Sequence, residues 1–61
     1  MTEKIYFIEN TNELEDALNY LVNAIPCFLD RELVEMNYSK ITIKANNEDL
    51  ATVERVLAPL V

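Results

Sequence analysis

Two segments of the chain have the residue pattern of β-strands. In residues 39–45, Ile41, Ile43 and Ala45 alternate with polar positions, which predicts a strand with one buried face and one solvated face. Residues 4–9 are rich in β-branched and aromatic side chains, which suit a pleated surface, and they are apolar on both faces. Because one helical layer covers only one face, the other face is expected to meet a second layer, from another subunit or from a target protein.

A helix is predicted between these strands from hydrophobic residues at three- and four-residue spacing. The apolar stripe of residues 12–25 begins at Leu14 and ends at Ile25. Pro26 has no backbone donor and disfavours helical geometry in the residue before it, so the helix is expected to end within two or three residues of Pro26. The candidate N-caps are Asn10, Thr11 and Asn12, the last as a capping box with Glu15.

Two further helices are predicted from the same kind of spacing. Beyond Pro26, helical spacing continues through Phe28, Leu29, Leu33 and Met36, which indicates a second helix that has Pro26 near its first turn. The last helix starts after Asn46 and Asn47, and Pro59 is expected to end it near Leu57.

The predicted fold class is α+β, with the order β-α-α-β-α and a two-stranded sheet per chain packed on helices. Two strands alone are not stable in water, and a chain of 61 residues buries only about 60% of its unfolded surface. Dimerisation is therefore expected to complete the sheet, and a homodimer or larger oligomer is the predicted state. The residues assigned to its interface are Tyr6, Ile8, Phe28, Leu29, Leu60 and Val61.

The inventory of residue types argues against catalysis. The chain has no glycine, no histidine and no tryptophan, and its single cysteine is Cys27. It therefore lacks a glycine-rich phosphate loop, the usual near-neutral base and a His/Cys ligand set. We expect no enzyme activity, no catalytic residue, no metal and no cofactor. Cys27 is predicted to be a buried packing residue, with a redox role or an intersubunit disulfide as weaker alternatives.

The charge balance constrains the partners. Eleven acidic residues against five basic ones give a formal net charge of −6, which disfavours direct binding to nucleic acid or to an anionic membrane. Absence of a recognisable targeting segment and a single free cysteine predict a cytoplasmic protein. Pairs of acids three residues apart on predicted helices are either a solvated face or a partner-facing surface: Glu13 with Asp16, and Glu32 with Glu35.

These features together predict a non-enzymatic protein–protein interaction module. It would be a small acidic regulator or inhibitor of a larger protein that has a basic or apolar surface. Short acidic proteins of phages and mobile elements that block a host or defence enzyme are an analogy. Two alternatives stay open: a structural or assembly subunit that acts through its own oligomer, and a nucleic-acid mimic whose carboxylates occupy a basic groove.

Overall fold

A three-stranded antiparallel sheet carries two helices on one face in the computed structural model, which describes residues 1–61. The order along the chain is β-α-β-β-α, followed by a 3₁₀ turn at Ala58–Leu60. The elements are β1 (Thr2–Glu9), α1 (Asn12–Ala24), β2 (Cys27–Glu35), β3 (Tyr38–Ala45) and α2 (Asn47–Leu57).

The last strand in sequence, β3, lies in the middle of the sheet. The spatial order is β1-β3-β2, and both outer strands run antiparallel to β3. Consequently β1 and β2 are parallel to each other, and α1 is the crossover that joins them across the gap that β3 fills. This is the split β-α-β arrangement. Because one chain supplies three strands, the instability of a two-stranded sheet no longer supports the predicted dimer. The dimer stays a prediction, based on the short chain and on the apolar residues on both faces of β1.

The predicted second helix is wrong, and with it the order β-α-α-β-α and the two-stranded sheet. Residues 27–35 form β2, in which Phe28 and Leu29 point to opposite faces of the sheet. Leu29 lies opposite Ile43, and this non-local pairing outweighs the helix propensity of the Leu, Arg and Glu residues in the segment. The segment has apolar residues on both faces of the strand, and their positions in the sequence happen to match the spacing of a helix.

A tight turn at Met36 and Asn37 joins β2 to β3. No residue of the chain has a positive φ angle, so the turn is not of the type I′ or II′ that two-residue hairpins favour. The register of β2 against β3 shifts between Leu33 and Glu35 instead, which leaves Val34 as a bulge.

The predicted helix ends are confirmed. Helix α1 ends at Ala24, two residues before Pro26, and Ile25 has extended backbone angles. Its N-cap is Thr11, whose hydroxyl accepts a hydrogen bond of 3.2 Å from the backbone N–H of Leu14. Helix α2 ends at Leu57 as expected.

The hydrophobic core lies entirely between the helices and one face of the sheet. Strand β3 contributes alternate residues to it, so the predicted inward side of this strand is confirmed. No buried hydrophobic residue lies on the other face of the sheet. The nine buried core residues are Ile8, Leu14, Leu18, Leu21, Ile41, Ile43, Ala45, Val53 and Leu57.

Truncating isoleucine on the two faces of the sheet should have different effects on stability. Ile43→Ala removes a fully buried side chain, so the free energy of unfolding should fall by about 2–5 kcal/mol. Ile5→Ala, on the exposed face, should cost less than about 1 kcal/mol. Urea denaturation followed by circular dichroism measures both, and equal losses would contradict this division of the sheet.

Candidate functional site: the open sheet face

One face of the sheet has no helix over it. We call this surface the open face. Among its residues are large apolar side chains with 46% (Ile5), 56% (Phe7), 68% (Phe28) and 43% (Tyr38) of their surface exposed. Because exposed apolar residues on one surface are a feature of contact sites, the open face is the candidate site. The open face consists of Glu3, Ile5, Phe7 and Glu9 on β1, Phe28, Asp30, Glu32 and Glu35 on β2, and Tyr38, Lys40, Thr42 and Lys44 on β3.

Pairing with β3 decides which side of β1 is exposed. Tyr6 lies opposite Ile41, and Ile8 lies opposite the buried Ser39, so Tyr6 and Ile8 turn toward the helices. Ile8 is only 1% exposed. The second covering layer predicted for β1 therefore belongs over Ile5 and Phe7 and not over Tyr6 and Ile8. Sequence reasoning gave the two pairs correctly, but only the register against β3 assigns them to a face.

The other residues of the predicted interface do not share one surface. Phe28 lies on the open face, whereas Leu29 is half-buried on the helix side of β2. Leu60 packs against the core after α2, and Val61 is exposed next to it. Phe28 is thus the single member of the six that the structure places on the open face.

The predicted acidic residues divide between two elements. Glu13 and Asp16 are exposed on α1, whereas Glu32 and Glu35 lie on β2 and not on a helix. Because Val34 forms a bulge, Glu35 lies on the same face of the sheet as Glu32, opposite Tyr38 of β3.

Asp30, Glu32 and Glu35 form a column of carboxylates along the open face of β2, which sequence reasoning missed. The three ion pairs of the structure are Lys44–Glu3, Lys4–Glu54 and Arg31–Glu15, and none involves this column. Lys40 is the cross-strand neighbour of Glu32 but forms no ion pair. The acids of β2 are therefore available to a cationic partner.

A shallow depression of about 180 Å³ lies beside β2 on the open face. Its volume is below the roughly 300–1,000 Å³ of a typical small-molecule site. It has room for one side chain of a partner. Its lining consists of Phe28, Leu29, Asp30, Thr42 and Lys44.

A polar cluster anchors the β2–β3 hairpin to the start of α1. The Arg31 guanidinium donates to the Ser39 hydroxyl (3.2 Å), to the Asn10 side-chain oxygen (2.8 Å) and to Glu15. Ser39 in turn donates to Asn10 at 2.5 Å, which satisfies its buried hydroxyl. These contacts occupy Arg31 and assign it a structural role.

The cysteine stands apart from the open face. Cys27 is half-buried on the helix side of β2, and its Sγ lies 3.9 Å from the carbonyl oxygen of Leu21. Burial, and secondarily the negative charge of Asp49, raise the pKa of the Cys27 thiol above its ordinary value. No group of three or more His, Cys, Asp or Glu side chains is placed to hold a metal ion.

Alkylation of Cys27 should therefore be slow at neutral pH. A raised pKa lowers the thiolate fraction, so iodoacetamide should react more slowly with native protein than with protein unfolded in urea. The protonated thiol favours the folded state, and that contribution is lost as the pH rises through the raised pKa. Alkylation rates across a pH series test this, and a native rate above the unfolded rate near neutral pH would contradict it.

The hydroxyl of Tyr6 is buried and has no hydrogen-bond partner. A buried polar group without a partner is destabilising, so Tyr6→Phe should leave stability unchanged or raise it by up to about 1 kcal/mol. Thermal and urea unfolding of the variant measure this. A loss of more than about 1 kcal/mol would show that the hydroxyl has a partner in solution.

Comparisons with known protein families, curated proteins and solved structures found no match to this chain. Neither of its two helices has the length and apolar character needed to cross a lipid bilayer. Function is therefore inferred from the chain's own surface.

Proposed function

We propose that this chain is a non-enzymatic protein–protein interaction module that binds a larger protein through the open face. The observation that carries the proposal is the exposure of Ile5, Phe7, Phe28 and Tyr38 on a sheet face that no helix covers. Aromatic residues are enriched at protein contacts, where their large area is removed from water.

The chemistry of the open face favours a protein that has a basic and apolar surface. The β2 carboxylates form no internal ion pair, and a net charge of −6 attracts basic surfaces while it repels nucleic acid and anionic membrane. The face offers only the shallow depression for a small molecule. A flat, mixed apolar and acidic surface is suited to a partner of similar extent.

Binding of this kind fits a small acidic regulator or inhibitor, because occupation of a basic surface on a larger protein blocks whatever else binds there. We place this action in the cytoplasm, since the single free Cys27 is suited to a reducing compartment.

The second candidate is an assembly subunit that acts through its own oligomer, as a homodimer or larger. It is favoured by the number of large hydrophobic residues, eleven in all, that are exposed in the single chain. Sedimentation equilibrium separates the two candidates: a self-oligomer without a second protein supports the assembly subunit. The nucleic-acid mimic is less favoured, because Lys40 and Lys44 lie on the same face as the β2 acids.

Charge introduced on the open face should weaken partner binding strongly without unfolding the chain. The double variant Ile5→Asp/Phe7→Asp would place unpaired carboxylates in a buried contact, so binding should weaken at least about tenfold. The measurement is affinity capture from a lysate, followed by quantification of the co-purifying protein and by titration against it once purified.

The matched control is Tyr20→Asp/Val22→Asp on α1, where both residues are 51% exposed. This variant has the same change in net charge and similar exposure, and it should capture the partner as well as the native chain does. Circular dichroism verifies that both variants are folded. Equal capture by the two folded variants would reject the open face as the binding surface.

A further inference from the structure

We infer that the outer edge of β2 binds an extended basic segment of the partner protein as a fourth strand of the sheet. The inference rests on the proposed function and names the chemistry of the partner. Main-chain hydrogen bonds would supply affinity, and alternate side chains would supply specificity, as in other cases of strand addition.

The edge of β2 is free along its whole length. The strand pairs with β3 on one side only. Of the five backbone hydrogen bonds that lie outside the helices and strands, none involves a residue of β2. The outward N–H and C=O groups of this nine-residue strand therefore have no backbone partner within the chain.

The edge of β1 is less suited to strand addition. Lysine on an edge strand disfavours further pairing, and β1 carries Lys4, which is paired with Glu54. Strand β2 contains neither lysine nor proline, and its bulge at Val34 is near its end. Its one cation, Arg31, is held by the polar cluster and faces the helix side.

The charges of β2 determine the chemistry of the added strand. Asp30 and Glu32 lie two residues apart on the open face, a separation of about 7 Å along the strand. An added strand would lie about 4.8 Å from them, whereas the lysines of β3 would be about twice as far away. Basic residues at alternate positions of the added strand would thus pair with the column of carboxylates.

The same charges disfavour a second copy of β2 in the register centred on Arg31. Antiparallel pairing of two copies about Arg31 would place Asp30 of each chain opposite Glu32 of the other. Like charges directly opposite each other destabilise a strand pair. In that register the edge favours a basic segment over its own sequence.

The helix side of the added strand requires apolar residues. There the intervening side chains would lie beside Cys27 and Leu29, which are both half-buried against the core. On the open face, the depression next to Phe28 has room for one further side chain of the segment. The expected segment alternates basic and apolar residues.

A synthetic seven-residue peptide of alternating lysine and valine provides the test. Titrated into isotopically labelled protein, it should bind saturably and shift the amide resonances of residues 27–33 in nuclear magnetic resonance spectra. Asp30→Lys/Glu32→Lys should weaken binding at least about tenfold, because it reverses both cross-strand charge pairs. The control Glu13→Lys/Asp16→Lys, on α1, has the same change in net charge and should alter binding less than about twofold.

A second peptide separates strand pairing from simple charge attraction. The same sequence with N-methylated backbone amides keeps its charge but cannot donate main-chain hydrogen bonds, so its binding should be at least about tenfold weaker. Equal binding of the two peptides, shifts centred on β1, or equal effects of the two charge variants would each overturn the inference.

The inference and the proposed function fail in different ways. If the lysine–valine peptide does not bind while Ile5→Asp/Phe7→Asp still weakens partner capture strongly, strand addition is rejected and the open face remains the contact. If the peptide binds at β2 but the open-face variant captures the partner normally, the edge is supported and the open face is rejected.

Discussion

The pairing of β3 with strands on both sides is the constraint on which the rest of the structure depends. Its residues Ile41, Ile43 and Ala45 are fully buried. Pairing with β3 determines which residues of β1 and β2 face the helices and which face the other side of the sheet. A shift of one residue in either register would move the inward side chains to the opposite face. Since two short helices cover only one face of this sheet, the position of β3 also determines which side chains form the open face.

The elements predictable from sequence are those whose pattern is local. The alternation around Ile41, the stripe that begins at Leu14, the stop at Pro26 and the end of α2 all follow from properties of neighbouring residues. Strand β2 does not. Its residues carry helical spacing and good helix formers, and what makes them a strand is the free edge of β3, which lies later in the sequence.

The candidate site shows the same division between local and non-local information. Composition predicts a chain that acts by contact, and the pattern of β1 predicts that one apolar pair remains outside. The identity of that pair, Ile5 with Phe7, depends on the register with β3. The column formed by Asp30, Glu32 and Glu35 depends both on the strand conformation of β2 and on the bulge, neither of which has a clear local signature.

The absence of glycine has a consequence for the unfolded chain. Every turn and cap is built without a positive φ angle, so no position of this backbone requires glycine. An average sequence of this length would contain about four glycines. Each glycine replaced by a residue with a side chain reduces the conformational entropy of the unfolded state and adds about 0.4–1 kcal/mol where the folded backbone permits it. This amounts to about 2–4 kcal/mol, a substantial part of the stability of a small domain. A stiffer unfolded ensemble thus compensates for a core of nine residues.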